Sequence, residues 1–531
     1  MASPYYRTQD GPVIVQGHVI ESLPTAKYQN GQAASAGTSE AFLSGWNFNE
    51  SNSQQVYKGE AQPKRCNDVF FGILFYAHLA VIAWATIAYS PQMYNMMSDE
   101  YSYNSEGGGG GGGGGRLLQD NNAQGESNSG EESNVSSINQ IYIFLSVSAV
   151  AAVILCSLAL SFMMVFAGAL IKTALWFNII VAGILALLSL LSGVIPMAIM
   201  FSLAFGLSCY YTYVVWRRIP FAAANMTTAI TAVRANIGVT LFAYFSLILT
   251  FLWSTWWSIS FLSTIFVVSG CNLEGVCEVE PNGLLVFAFL VSYYWTAQVI
   301  KNVVHVTVAG TVGTWWFVPQ EASSCCSKAV TDSWFRAMTY SFGSICLGSL
   351  VVAIIQAVKE FVHQLREQND SMLASCAECL IGCIQQLVEY FNQWAYVYVG
   401  LYGYSFLDAG KNVMNLFKSR GWTAIIADML VDSVLSMVAI AIGVLTGVVL
   451  LLVSYCIGID LSYGNWAVPL ILGSIFGFVL AVTLFSVVGS AVNTVIVCYA
   501  EAPAEFQMNH PKLSEEMRAS WLKAWPNDFS Y

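Results

Sequence analysis

Residues 431–457 read VDSVLSMVAIAIGVLTGVVLLLVSYCI, and after Asp432 none of the remaining 25 positions is charged. At ~1.5 Å per residue such a helix measures about 40 Å, enough to cross a hydrocarbon core of ~30 Å. The run is too long for a strand and apolar on every face, so it reads as a membrane span. Working outward, comparable runs begin at Val69 and occupy roughly 141–170, 174–191, 194–216, 238–261, 284–306, 337–358 and 466–488. Together they make nine clear spans. A tenth stretch, 371–407, is long enough but carries Glu378, Glu389, Asn392 and Gln393. It must cross if both chain ends lie on one side. The expectation is an all-α polytopic membrane protein of about ten transmembrane helices.

Composition agrees. Of 531 residues 56% are apolar and 10% charged, against roughly a quarter charged in a soluble chain. This excludes an ordinary soluble enzyme and makes the lipid bilayer the solvent. A net charge of −11 gives no electrostatic basis for nucleic acid, which requires clustered Lys and Arg.

Charge placement sets the orientation. Lys58, Lys64 and Arg65 precede the first span, whereas 91–140 holds Arg116 as its one base. The positive-inside rule then puts both termini in the cytosol, with Lys172, Arg217, Arg218, Arg234, Lys328, Arg336, Lys411, Lys418 and Arg420 on the same side. The organisation expected is a disordered cytosolic tail over 1–67, a membrane domain over 68–490 and a cytosolic tail over 491–531. Within the domain, 90–140 reads as a disordered outer loop, because Gly107 to Gly115 is an unbroken glycine run. Asn134 in that loop begins an Asn-Val-Ser glycosylation sequon. Cys271 and Cys277 bracket a short acidic outer loop and are expected to form a disulfide. Cys376, Cys379 and Cys383 share a helical stripe, open to a metal or acylation reading but better explained as small residues between helices.

Two amphipathic stretches, 219–237 and 408–428, are expected along the cytosolic face, with Phe221, Ile230, Val233, Val413, Leu416 and Phe417 turned to lipid or bundle. Residues 308–319, VAGTVGTWWFVP, read either as unwound backbone lining a cavity or as an interfacial aromatic anchor, the latter being the default.

The chain lacks the His-Glu-x-x-His, Gly-x-Ser-x-Gly and phosphate-loop motifs, and contains five His in all. No cofactor is implied, and the protein reads as a non-enzyme. Asp428 and Asp432 stand one helical turn apart, either sharing a cation or, more commonly, starting a solvated helix. His305, beside Lys301 and Asn302, reads as a relay or a packing residue. Aromatic residues are the abundant feature. Tyr293, Tyr294 and Trp295 fall near mid-depth, beyond the reach of interfacial belts. Ring faces with few formal charges suit a quaternary ammonium, and helix packing accounts for the same residues equally well.

Several strings taken in order resemble the choline transporter-like family: RRIPFAAAN at 217–225, VHVTVAGTVGTWWF at 304–317, SFGSICLGSLVVAIIQ at 341–356, EYFNQWAYVYVGLYGYSF at 389–406, LFKSRG at 416–421 and CYAEAP at 498–503. The resemblance spans nearly all of 190–510 and the first span loosely. It implies a sodium-independent carrier of ten spans with both ends cytosolic, moving choline or a related amine. The plasma membrane is the default location, since no retention signal appears at the C-terminus. The short, cysteine-free first outer loop resembles the fungal, plant and protist branch rather than the animal one. The family provides no catalytic motif to place residue by residue. Trp253, Trp257, Tyr293, Trp295, Tyr398 and Tyr402 are the candidate pathway residues for a small organic cation. Ethanolamine as substrate and a non-transporting scaffold are the rival readings. The Gly343, Ser344, Gly348 and Ser349 pattern is expected to let two helices pack closely.

Overall fold

The computed structural model describes residues 65–107, 125–193, 195–270, 282–324, 327–368, 372–420, 423–457 and 466–524, together with residues 7, 8, 11, 12 and 279. Apart from a two-residue antiparallel pair, β1 (Arg7–Thr8) and β2 (Gly11–Pro12), the described residues form helices. Eight helical stretches among them are long and apolar enough to cross a membrane. The molecule is thus an all-α polytopic membrane protein.

The first helix, α1 (Val69–Gly107), and the second, α2 (Gly125–Leu191), extend into the segment expected to be irregular. Most of the glycine run, and the 271–277 cysteine pair, lie outside the described residues. Asn134 falls on the α2 backbone. The two spans expected at 141–170 and 174–191 are one helix. Its apolar part, Ile143–Leu191, has 49 residues, about 74 Å at helical rise, and is bent where Phe166 leaves helical geometry (φ −114°, ψ 25°). The expected break at Lys172 does not occur, because Ile171, Ala174 and Leu175 on either side are fully buried in the bundle.

After α3 (Ile195–Val215) and a short 3-10 turn comes α4 (Ile219–Ala235), whose Phe221, Ile230 and Val233 face the bundle and not the lipid. The next two long helices are α5 (Gly238–Ser269) and α6 (Gly283–Phe317). Gly270 ends α5 in the left-handed region at φ 61°, and the Asn282 side chain caps α6 by accepting from Leu284 N at 2.9 Å. Helix α6 stays helical through 308–317, so the backbone there is not unwound.

A short helix, α7 (Lys328–Met338), leads to α8 (Phe342–Gln368), α9 (Met372–Tyr402) and α10 (Phe406–Arg420). Helix α9 is the doubtful tenth span. Its 31 residues give it spanning length, although it is too polar to count among the eight. Its charges are met inside the protein. Arg366 on α8 pairs with Glu378 at 2.6 Å, and amides from Gln356 (3.0 Å) and Gln385 (2.8 Å) hold Glu389. The chain closes with α11 (Thr423–Ile457) and α12 (Ala467–Glu501), which pack together along their length through Gly447 and Gly473.

Two fastenings occur at the ends. Asp68 (φ 53°) accepts from Ser344 Oγ at 2.6 Å and from Phe406 N at 3.0 Å, so one carboxylate caps the start of α10 and ties it to the first turn of α8. A side chain at Gly343 would overlap the Asn67 and Asp68 carbonyls. Part of the small-residue pattern on α8 therefore admits this strap. On the same side of the bundle, where Tyr402 bonds Glu501 and Gly403 bonds Asn67, α12 ends at Glu501, and α13 (Pro503–Asn509) and α14 (Pro511–Ala524) fold back onto α4 and α6. Asn509 Nδ2 donates to the carbonyls of Trp316 and Phe317 at 2.9 Å, satisfying acceptors left over at the end of α6. Trp316 stacks on Phe506 with centroids 3.9 Å apart. The Trp pair is buried in protein, not anchored at a lipid interface.

Candidate functional site

Four helices turn polar stripes toward one another. On α6 the stripe is Gln298, Lys301, Asn302 and His305, and on α9 it is Gln386, Glu389, Tyr390 and Gln393. Each follows the i, i+3, i+4, i+7 spacing of one helical face. Helix α11 adds Asp432, Leu435, Ser436 and Ala439 at the same spacing, and α12 adds Phe485, Ser486, Gly489 and Asn493. Between them lies a cavity of about 490 Å³, within the usual range for small-molecule sites. Helix α11 packs along α12 and α2 and has no extended contact with α6 or α9, so Asp432 faces Lys301 and Glu389 across the space.

The walls are cross-braced. His305 Nε2 donates to the Gln393 carbonyl at 2.9 Å, and its Nδ1 lies 2.6 Å from Ser490 Oγ, joining α6, α9 and α12. Asn302 Nδ2 donates to Ser349 Oγ at 2.9 Å, and Asn392 Nδ2 to the Gly348 carbonyl at 2.9 Å. Tyr396 OH donates to the Ile345 carbonyl at 3.2 Å, with Gly348 leaving room for its oxygen. These bonds satisfy groups that would otherwise be costly to bury. Two groups stand out by contrast. Asn493, almost fully buried, has an Oδ1 without a hydrogen-bond partner. Lys301, exposed to the cavity, makes no hydrogen bond or ion pair among the described residues.

One end of the cavity is solid. Residues 306–313, 394–402 and 491–498 are buried without a break as α6, α9 and α12 continue toward their C-terminal ends. The helices meet there at backbone distance: a Cβ on Gly400 would come 2.7 Å from that of Ala309 and 2.8 Å from the Val306 carbonyl.

None of the six aromatic candidates lines the cavity. Trp253, Trp257 and Tyr293 come together in the α5–α6 seam, where the indoles donate to the carbonyls of Tyr293 (3.3 Å) and Phe289 (2.9 Å). Trp295 points elsewhere, stacking on His78 (4.6 Å) and donating to the Cys346 carbonyl at 2.9 Å. Tyr398 and Tyr402 belong to the solid end itself, both donating to the Glu501 carboxylate. The cavity is lined by other residues than the aromatic ones expected from the sequence. The signal was the helical spacing of polar residues within apolar runs. Among the described residues no cluster of His, Cys, Asp and Glu fits a metal, and Cys379 and Cys383 are free. The Asp428 side chain lies outside the described residues.

A family model described as plasma-membrane choline transporter matches residues 199–504, more than half of the chain. The chain belongs to this family. Among curated relatives, Protein PNS1 of Debaryomyces hansenii is 31% identical over 58% of this chain and 63% of its own length. Protein PNS1 of Yarrowia lipolytica is 31% identical over 62% and 60%, and a CTL-like protein of Dictyostelium discoideum 28% over 56% and 51%. The chain thus spans less than two thirds of the length of these relatives. All four cavity helices fall wholly or largely within the stretch that matches the choline transporter family.

Proposed function

We propose that the protein is a secondary carrier of choline or a choline-like organic cation, working without sodium by alternating access around the cavity between α6, α9, α11 and α12. The observation that carries this reading is a polar cavity in a membrane-spanning bundle, with Glu389 and Asp432 on facing walls and the rings of Tyr390, Tyr396 and Phe485 beside them. Carboxylates neutralise a buried cation and ring faces accept its methyl groups. A cavity closed at one end fits one of two access states. The family description supports choline as cargo and the plasma membrane as location. An inside-negative potential would supply about 2.3 kcal/mol per charge at 100 mV.

The test is uptake of labelled choline into liposomes holding the purified protein, with and without an inside-negative potential, compared with Glu389→Gln and Asp432→Asn. Uptake that rises with potential and collapses in both variants supports the carrier. Uptake indifferent to both substitutions would remove the cavity from the pathway, and a folded protein that moves no amine would favour the scaffold reading.

A further inference from the structure

The cavity is larger and more varied in charge than a simple ammonium alcohol requires. At the ~30 Å³ that a water-sized group occupies in a liquid, a molecule the size of choline fills about 200 Å³, against the 490 Å³ present. The remaining space is not apolar. Lys301 stands midway along the 35 residues of α6, where an ammonium in a bilayer is expensive unless it is paired or functional. Asp432 on the facing wall lies near enough to feel its charge, but among the described residues no carboxylate oxygen approaches its Nζ within 4.0 Å, so the ammonium makes no direct ion pair. A site for a cation alone gains nothing from a second cation in its wall, since like charges disfavour each other.

We propose that this cavity takes a zwitterion: an ammonium head joined by a short linker to an anionic group, with phosphate monoesters of amino alcohols as the class that fits best. The proposal rests on the cavity being the carrier's substrate site. The ammonium sits between Glu389 and Asp432, and the anionic oxygens sit on Lys301 with the Gln298 amide beside them. An anion on Lys301 supplies the direct hydrogen-bonded contact that Asp432, across the cavity, does not make. Charge pairing at both ends also holds the ligand in one orientation, which a lone ammonium in so large a space would not have.

The experiment is equilibrium binding of phosphocholine and of choline to the full-length protein in lipid nanodiscs, for the wild type, Lys301→Gln and Lys301→Arg. The expected result is phosphocholine bound at least tenfold more tightly than choline by the wild type. In Lys301→Gln this preference disappears, phosphocholine weakening at least tenfold while choline is held as well or better. Lys301→Arg keeps the charge and retains the preference. Choline bound as tightly as phosphocholine by the wild type, or both weakened equally in Lys301→Gln, overturns the zwitterion while leaving the cation carrier standing. Neither ligand binding to protein with an unchanged melting curve overturns both.

Discussion

Helix α6 presents two faces of opposite character. Toward α5 it offers Phe289 and Tyr293, whose backbone carbonyls receive the indoles of Trp257 and Trp253. Toward α9 and α11 it offers Lys301, Asn302 and His305, around open space. The first face is rich in rings that suit a quaternary ammonium in principle, yet their polar atoms are already engaged by neighbouring helices. The second has few rings but keeps groups without partners. In an apolar bundle, therefore, aromatic density marks close packing, while unmatched polar groups mark the place where something else binds.

The largest effect should come from breaking the packed side. Trp295→Ala removes a ring that is 4% exposed and wedged between α1 and α8, together with its bond to the Cys346 carbonyl. Burial of this kind is worth about 3–5 kcal/mol. The melting temperature and yield of folded protein should fall sharply, with the surviving folded fraction still binding substrate normally. Loss of binding at unchanged stability would move Trp295 into the site. The cavity side should respond in the opposite way. Asp432→Asn removes a charge from a wall without changing shape, so folding is preserved while the ligand loses a charge-assisted contact of about 1.5–3 kcal/mol, or ten- to a hundredfold in affinity. A titration on the purified variant checks it, and an affinity within twofold of wild type would dissolve the distinction between the two faces.

Gly348 lies between these cases. A methyl group there would overlap the Tyr396 oxygen and the Phe406 ring, so the residue serves a cavity wall as much as a helix contact. Gly348→Ala is expected to cost about 1–3 kcal/mol by overpacking, and to impair transport more than surface expression because Tyr396 must move. Equal loss of both would make Gly348 a packing residue alone.

The membrane architecture was legible because a span is a local property: length and apolarity along one run suffice, as in 431–457. Two features were not local. Whether Lys172 interrupts a helix depended on the burial of Ile171 and Leu175 by other helices, and whether polar α9 has spanning length depended on Arg366 and Gln356 reaching its carboxylates from α8. The site was legible residue by residue, for Lys301, His305, Glu389 and Asp432 each interrupt an apolar run. Their convergence was not, since it depends on how four helices are rotated about their axes. The placing of the rings depends on the same rotations. Tyr293 and Trp295, two residues apart, lie ~200° apart around a helix and cannot share a site.

The smallest effect expected concerns a third aromatic region, where α13 and α14 close over the end of α6. His510 stacks on Trp315 at 4.0 Å and its Nε2 lies 3.1 Å from the Trp315 carbonyl, an arrangement that the neutral ring can make. Burial holds its pKa below the ordinary 6.5, outweighing the bond to the Trp315 carbonyl, which acts in the opposite direction. Above about 6.5 the ring is neutral whether docked or released, and docking is at full strength. As pH falls below that value the released histidine takes up a proton more readily than the docked one, so docking weakens with acidification. Hydrogen exchange across 503–517 should accordingly accelerate relative to α11 between pH 7 and 5.5, and His510→Gln, which cannot take up the proton, should flatten that response. Because Trp315 lies near the C-terminal end of α6, well beyond Lys301 along the same helix, ligand affinity in the same pH series should follow the cavity's own groups and be unchanged by His510→Gln. A change in affinity that tracks the loosening would mean that the aromatic clamp and the polar cavity form one cooperative unit.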